Sequence, residues 1–253
     1  MDLRNAMEYI AEQAAPHVVE INGDTYTDKR MTRIPQEMRA EPIQMRTLTS
    51  LLDYISSNVD ELDACRKYMV HVTSPTRVDL VSCLNFDRMR ETLAIVEAQI
   101  PEFSYDTYMD HERFLIALQA KFLPGDDREL LLKFAGTVES GTVAQYGDDG
   151  VTQKATVKSG ISSKTDAIVP NPVILAPYRT FLEVEQPESS FIFRMRDSDR
   201  GGVSCALFEA DGGAWRNEAM SDVAAYIIKQ LSGRNLPEGM FIKKERPTGR
   251  WVA

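Results

Sequence analysis

Cysteine and histidine are scarce in this 253-residue chain, with three of each. Cys65, Cys83 and Cys205 lie far apart, form no Cys-x-x-Cys pair and are odd in number, which argues against a disulfide framework and fits a reducing compartment. All three are expected to be free thiols, with Cys83 and Cys205 buried in strands. His17, His71 and His111 have no second histidine three or four residues away, so no clustered zinc motif is present. A Gly-x-Ser-x-Gly elbow for hydrolase chemistry is also missing. The loop Ser159 to Thr165 combines glycine, hydroxyls and Lys164, but it has one glycine and leads into Pro170 and Pro172, whereas a Walker loop needs a second glycine and a following helix. No apolar run approaches the ~18–20 residues of a spanning helix, and the opening MDLRNAMEYI lacks the basic-then-apolar pattern of a secretory leader. These gaps point to a chain of the cytoplasm with no catalytic residue, metal or cofactor assignable by motif.

What is present is an ordinary globular composition, 43% hydrophobic and 26% charged, long enough for one large core or two small ones. Twenty-nine basic residues against 38 acidic ones leave a net charge of −9, so the average field repels polyanions and generic nucleic-acid binding is disfavoured.

Helical spacing of Leu3, Met7, Ile10 and Ala14 predicts a short amphipathic helix stopped by Pro16. Asn22-Gly23 between strand-like runs then predicts a hairpin. Met31 to Arg46 carries Pro35 and Pro42 without periodicity and reads as a linker, or as an arm reaching toward a neighbouring subunit. Residues 1–46 are thus expected to form an N-terminal helix, hairpin and arm, and 47–253 an α+β core, with a softer boundary near 159–170. In that core, Leu48, Leu51, Leu52, Ile55, Val59 and Leu62 draw one helical stripe. Tyr68 to Thr73 and Arg77 to Leu84 flank a Ser74-Pro75-Thr76 turn, and Thr92 to Ile100 supplies a third strand. Two helices follow: one over Asp106 to Phe122, capped by Thr107 or Asp110, the other capped by Asp126 or Asp127 with Leu130, Leu131 and Phe134 inward. Gly141 to Tyr146 and Val151 to Val157 read as another hairpin.

The stretch NPVILAPYRTFLEVEQPESSFIFRMRDSDRGGVSCALFEADGGAW, Asn171 to Trp215, organises the rest. Phe181 to Glu185, Phe191 to Arg196 and Val203 to Glu209 read as an antiparallel meander. A helix with Ala219, Met220, Val223, Ala224, Ile227, Ile228 and Leu231 follows, is expected to pack on that meander, and ends at Gly233. Met240 to Lys244 reads as a last strand, and the basic tail with Trp251 as solvated. The fold class is therefore α+β, a mostly antiparallel sheet of hairpins and meander with packed helices. Valine- and threonine-rich strands needing edge cover, together with the arm, predict a homo-oligomer.

The strings NPVILAPYRTFLEVEQPESSFIFRMR and ALFEADGGAW resemble the core of the YfdQ-like family, proteins encoded by bacteriophages and prophages. The resemblance covers the last third of the chain most sharply. It implies a phage or prophage origin and the host bacterial cytoplasm, and brings no catalytic residues.

Arginine is the most informative constellation, because Arg179, Arg194, Arg196, Arg200 and Arg216 crowd one segment of an acidic chain. Period two puts Arg194 and Arg196 on one strand face, where paired guanidiniums can clamp a phosphate or carboxylate. The expected ligand site for a nucleotide or other anion is Arg194 and Arg196 with Arg179 and Trp215 as neighbours. The competing reading pairs these arginines with Glu183, Glu185 and Glu188 in an ion-pair ladder. Two functions follow. One is a non-catalytic phage accessory protein that binds a host or phage component, a nucleotide signal included, and so counters host defence. The other is a metal-dependent enzyme or recombination factor acting on nucleic acid through Asp166, Glu183 and Glu185, although Pro187 stands where such nucleases carry a lysine. Glu209 and Asp211, at the glycine turn before the last helix, mark a third place where backbone N–H groups and acids converge.

Overall fold

The computed structural model describes residues 3–30, 40–62, 67–85, 88–138, 144–145, 153–158, 164–168, 170–197, 202–234 and 251–252. Cys65, the acidic tip 147–150, the loop 159–163, Arg200 and the expected strand Met240 to Lys244 lie outside these residues. The chain divides into two units, Met1–Ala40 and Glu41–Ala253.

The first unit holds helix α1 (Leu3–Ala14) and the hairpin β1 (Val18–Ile21) and β2 (Asp24–Thr27). Asn22 and Gly23 take φ of 56° and 87°, the left-handed conformation that a two-residue hairpin turn demands, as the dipeptide predicts. Lys29 Nζ donates to the carbonyls of Gln13 and Ala15, both at 2.8 Å, supplying a cation at the C-terminus of α1.

The second unit opens on β3 (Ile43–Met45), followed by α2 (Leu48–Ser57). β3 pairs in parallel with β6 (Thr92–Glu97), so this part of the expected arm is a sheet strand. Thr47 caps α2 by accepting from Ser50 N–H, and Leu48, Leu51, Leu52 and Ile55 point inward as the stripe requires. The helix stops at Asn58, in the left-handed region, one turn earlier than the stripe suggests; Val59 is consequently exposed, while Leu62 still reaches the core. β4 (Tyr68–Ser74) and β5 (Arg77–Ser82) form the expected hairpin, and β6 extends it. Cys83 falls just past β5 and is only half-buried, so of the two thiols expected in strands only Cys205 lies in one.

A two-residue β7 (Met109–Asp110) leads into α3 (His111–Lys121), whose N-cap is Asp110. α4 (Asp126–Thr137) starts from Gly125 and not from an acidic cap, since Asp127 instead accepts from Ile174 N–H at 2.6 Å. Leu131 and Ala135 face inward, whereas Leu130 is exposed. Arg128 ties the two helices by donating to the carbonyls of Leu118 and Gln119, both at 3.0 Å. β8 (Ala144–Gln145), β9 (Gln153–Lys158) and β10 (Lys164–Ile168) make a small antiparallel sheet.

The meander is β11 (Val173–Leu175), β12 (Ser189–Asp197) and β13 (Val203–Glu209), in sheet order β11-β12-β13-β7. Its first strand is thus Val173–Leu175, not Phe181 to Glu185. The latter is a turn because the buried Gln186 side chain claims its backbone: Nε2 donates to the carbonyls of Phe181 and Val184, and Oε1 accepts from Arg179 and Thr180 N–H. A backbone whose polar groups are satisfied locally has no ladder to join.

α5 (Ala214–Ser232) ends at Gly233 as expected, but its buried face joins a different core from the one anticipated. Val223, Ile227 and Leu231 pack with Leu48, Leu52 and Ile55 of α2 and with Val70 and Leu80 of the β4–β5 hairpin. The meander instead buries Phe191, Phe193 and Met195 of β12, with Cys205 and Leu207 of β13, under Phe114 and Leu118 of α3 and Leu131 of α4. β14 (Trp251–Val252) pairs with β4, Trp251 opposite His71, so Trp251 lies on a sheet strand, while Lys243, Lys244, Arg246 and Arg250 of the expected tail lie outside the described residues. The architecture is α+β, and among the described residues the sheets are antiparallel but for the parallel pair β3 with β6. Among the described residues no helix is long and apolar enough to cross a membrane.

Candidate functional site

Strand alternation splits β12 into two faces. Phe191, Phe193 and Met195 are fully buried on the inner face, and Ile192, Arg194 and Arg196 take the outer one. Register with β13 sets Ile192 opposite Phe208, Arg194 opposite Ala206 and Arg196 opposite Ser204. Just before β7, Tyr108 comes up beside this outer face. The Arg196 guanidinium lies 4.1 Å from its ring centroid, and Phe208 meets the same ring edge-on at 6.2 Å. The outer face therefore carries an exposed Arg196, the half-buried Arg194, Tyr108, Phe208 and Ser204, and a fully buried Ala206. This is the pair of arginines on one strand face that the sequence anticipates.

Arg179 and Trp215 are elsewhere. Arg179 is 4% exposed and lies at the start of β12, where Nη1 pairs with Glu209 at 3.3 Å and Nη2 donates to Pro187 O at 3.1 Å and to Ser189 Oγ. Its guanidinium stacks 4.0 Å over the Trp215 ring and 5.8 Å from Phe191, an inner-face residue. Burial lowers the pKa of this guanidinium from its ordinary value, opposed by the nearby Glu209 and Asp211 charges. Five residues of strand, about 17 Å, separate Ser189 from Arg194. The four residues grouped in the sequence thus fall into two places, an outer Arg194–Arg196 face and a buried Arg179–Trp215 knot.

The knot extends to the start of α5. Asp211 Oδ1 accepts from Gly213 N–H at 2.9 Å, and Oδ2 accepts from Trp215 N–H at 3.2 Å and from Ser189 Oγ at 2.9 Å. Burial alone would raise the Asp211 carboxyl, but these hydrogen bonds and the Arg179 charge outweigh it and hold the group below its ordinary value. The Gly213 and Trp215 N–H groups at the start of α5 are therefore already met by a carboxylate of this chain. Gly213 sits at φ 81°, a left-handed conformation that favours glycine, whereas the Arg216 guanidinium that a Cβ would meet is the far end of a flexible side chain. Arg216 closes the cluster 3.8 Å from Glu209 and 5.0 Å from the Trp215 centroid. The signal for this knot was in the sequence, as Glu209, Asp211 and the paired glycines, but nothing local pointed Arg179 at them.

The carboxylates of the metal-dependent reading are also dispersed. Glu183 and Glu185 are in the Gln186-bound turn, with Glu183 Oε1 accepting from Thr49 N–H at 3.3 Å, and Asp166 is on β10 opposite Thr156. Among the described residues no group of three or more histidine, cysteine, aspartate or glutamate side chains could hold a metal ion. His71, opposite Asp79 in the β4–β5 pair, is half-buried, and burial lowers its pKa despite that neighbour. His111 engages the carbonyl of Ala135 at 2.7 Å and so serves the α3–α4 contact. The thiol of Cys205 is pushed up to about 12 by burial, with Asp110 adding to it, and is therefore unreactive.

Comparison with known proteins returns no matching family model, no matching curated protein and no matching solved structure.

Proposed function

We propose that this chain is a non-catalytic binding protein that takes an anionic ligand, a nucleotide above all, on the outer face of β12 and β13. The observation that carries this reading is Arg196 lying 4.1 Å over Tyr108, with Arg194 two residues away on the same face. A guanidinium over a ring uses its face for stacking and keeps its in-plane N–H donors for a phosphate. Tyr108 and Phe208 offer a π surface on which a base can stack, and stacking of that kind accepts any base. Two arginines and two aromatics in an acidic chain suit a small anion better than a long polyanion, since the net charge of −9 opposes the latter. The YfdQ-like resemblance supplies the setting for this proposal: a phage or prophage protein acting in the host cytoplasm, where holding a nucleotide would blunt a defence signal.

Titration calorimetry of the full chain against mono-, di- and cyclic nucleotides tests the reading. Wild type is expected to bind at least one class, and Arg194→Ala with Arg196→Ala to bind it at least tenfold more weakly, since each charge-assisted hydrogen bond contributes ~1.5–3 kcal/mol. Unchanged binding by the double variant, or no binding by wild type, overturns it. Mg2+-dependent cleavage of DNA by the purified chain would overturn it in favour of the metal-dependent alternative.

A further inference from the structure

Taken by itself, the N-terminal unit has no core of its own among the described residues. Across residues 3–30 no side chain is buried: α1 has no inward residue, and β1 and β2 are exposed along their whole length. The unit is nevertheless patterned for burial. Leu3, Met7 and Ile10 lie on one stripe of α1, 75%, 65% and 65% exposed. Register places Val19, Ile21 and Tyr26 together on one face of the hairpin, each 53% exposed. A 12-residue helix and an isolated two-stranded hairpin are each marginal in water, and the hairpin also leaves two unpaired edges.

We propose that this unit is a self-association module whose apolar faces are covered by the same unit of a second copy. Three arguments select that occupant. The steps of four, three and four from Leu3 through Ala14 set these residues on one helical stripe, which two identical helices can cover reciprocally. The six side chains offer on the order of 100 Å2 each, so two copies bury roughly 1,200 Å2, the lower bound of a specific interface. The polar side of α1 carries Arg4, Glu8 and Glu12, with Arg4 paired to Glu8 at 3.3 Å; it lacks the lysine and arginine excess of a helix that lies on a membrane surface. The inference stands independently of the anion site.

The test is sedimentation velocity on the full chain from 1 to 100 µM. Wild type is expected at twice 28.5 kDa, about 57 kDa. Ile10→Glu is expected at the single-chain mass with an unchanged main thermal transition. Val19→Thr with Ile21→Thr, which keeps β-branched residues in the strand, is expected to raise the dimer dissociation constant at least tenfold. A monomeric wild type, whether its faces are covered by its own second unit or by added lipid vesicles, overturns the proposal. So does a dimer that survives both variants unchanged.

Discussion

Arg179 and Arg196 come from the same arginine-rich stretch and finish in opposite circumstances. Arg179 is buried, paired with Glu209, bonded to Pro187 O and Ser189 Oγ and stacked on Trp215. Arg196 is exposed and rests on Tyr108. Each is a guanidinium on an aromatic ring, and surroundings alone separate their roles. In the knot the charge is consumed by internal acceptors, so removing it leaves Glu209 with the more exposed Arg216, 3.8 Å away, as its counter-charge. On the outer face the same chemistry faces water, where its loss costs the fold little and a ligand much.

The largest expected effect that would break this contrast is at the knot. Arg179→Met should destabilise the chain by about 3 kcal/mol in urea unfolding, the low end for a broken buried pair because the Glu209 side chain is 24% exposed. Combining it with Glu209→Gln should restore part of that loss. A cost below about 1 kcal/mol for the single change would mean that the knot is not structural.

Asp211 gives an intermediate effect with a pH signature. Its folded pKa is depressed, so the stability it adds is complete above the unfolded carboxylate value, ~3.9, and disappears as pH falls through its lower folded value. Asp211→Asn should cost about 1 kcal/mol at pH 7, because the charge that strengthens its hydrogen bonds and faces Arg179 is lost. As pH falls through that lowered value the two proteins should converge in thermal melts. Parallel pH profiles would rule out the role assigned to the carboxylate.

Arg196→Ala marks the small end. An exposed cation–π contact contributes about 0.5–1 kcal/mol, so the variant should melt close to wild type while losing ligand affinity. A loss of stability matching that of Arg179→Met would place Arg196 among the structural residues and remove the contrast.

Local chemistry made much of this molecule legible. The Asn22-Gly23 turn, the Asp110 cap, the Pro75 hairpin and the alternation of β12 depend on residues within a few positions of one another, and each appears where its pattern points. The pairing of Arg194 with Arg196 on one face belongs to this class, because period two is a property of any strand.

What tertiary structure decided depends on partners distant in the chain. Glu183 and Glu185 alternate like strand residues, yet one buried glutamine takes the backbone groups a ladder would need. Ile43–Met45 and Trp251–Val252 are too short to declare themselves and become strands because β6 and β4 offer open edges. An amphipathic stripe says that α5 must bury one face without saying against what, and α2 and the β4–β5 hairpin proved to be the cover. Composition announced a cluster of arginines. Which of them went inside was set by where Glu209, Ser189 and Trp215 met around a single guanidinium, since a buried charge is tolerated only where several acceptors converge from different elements at once.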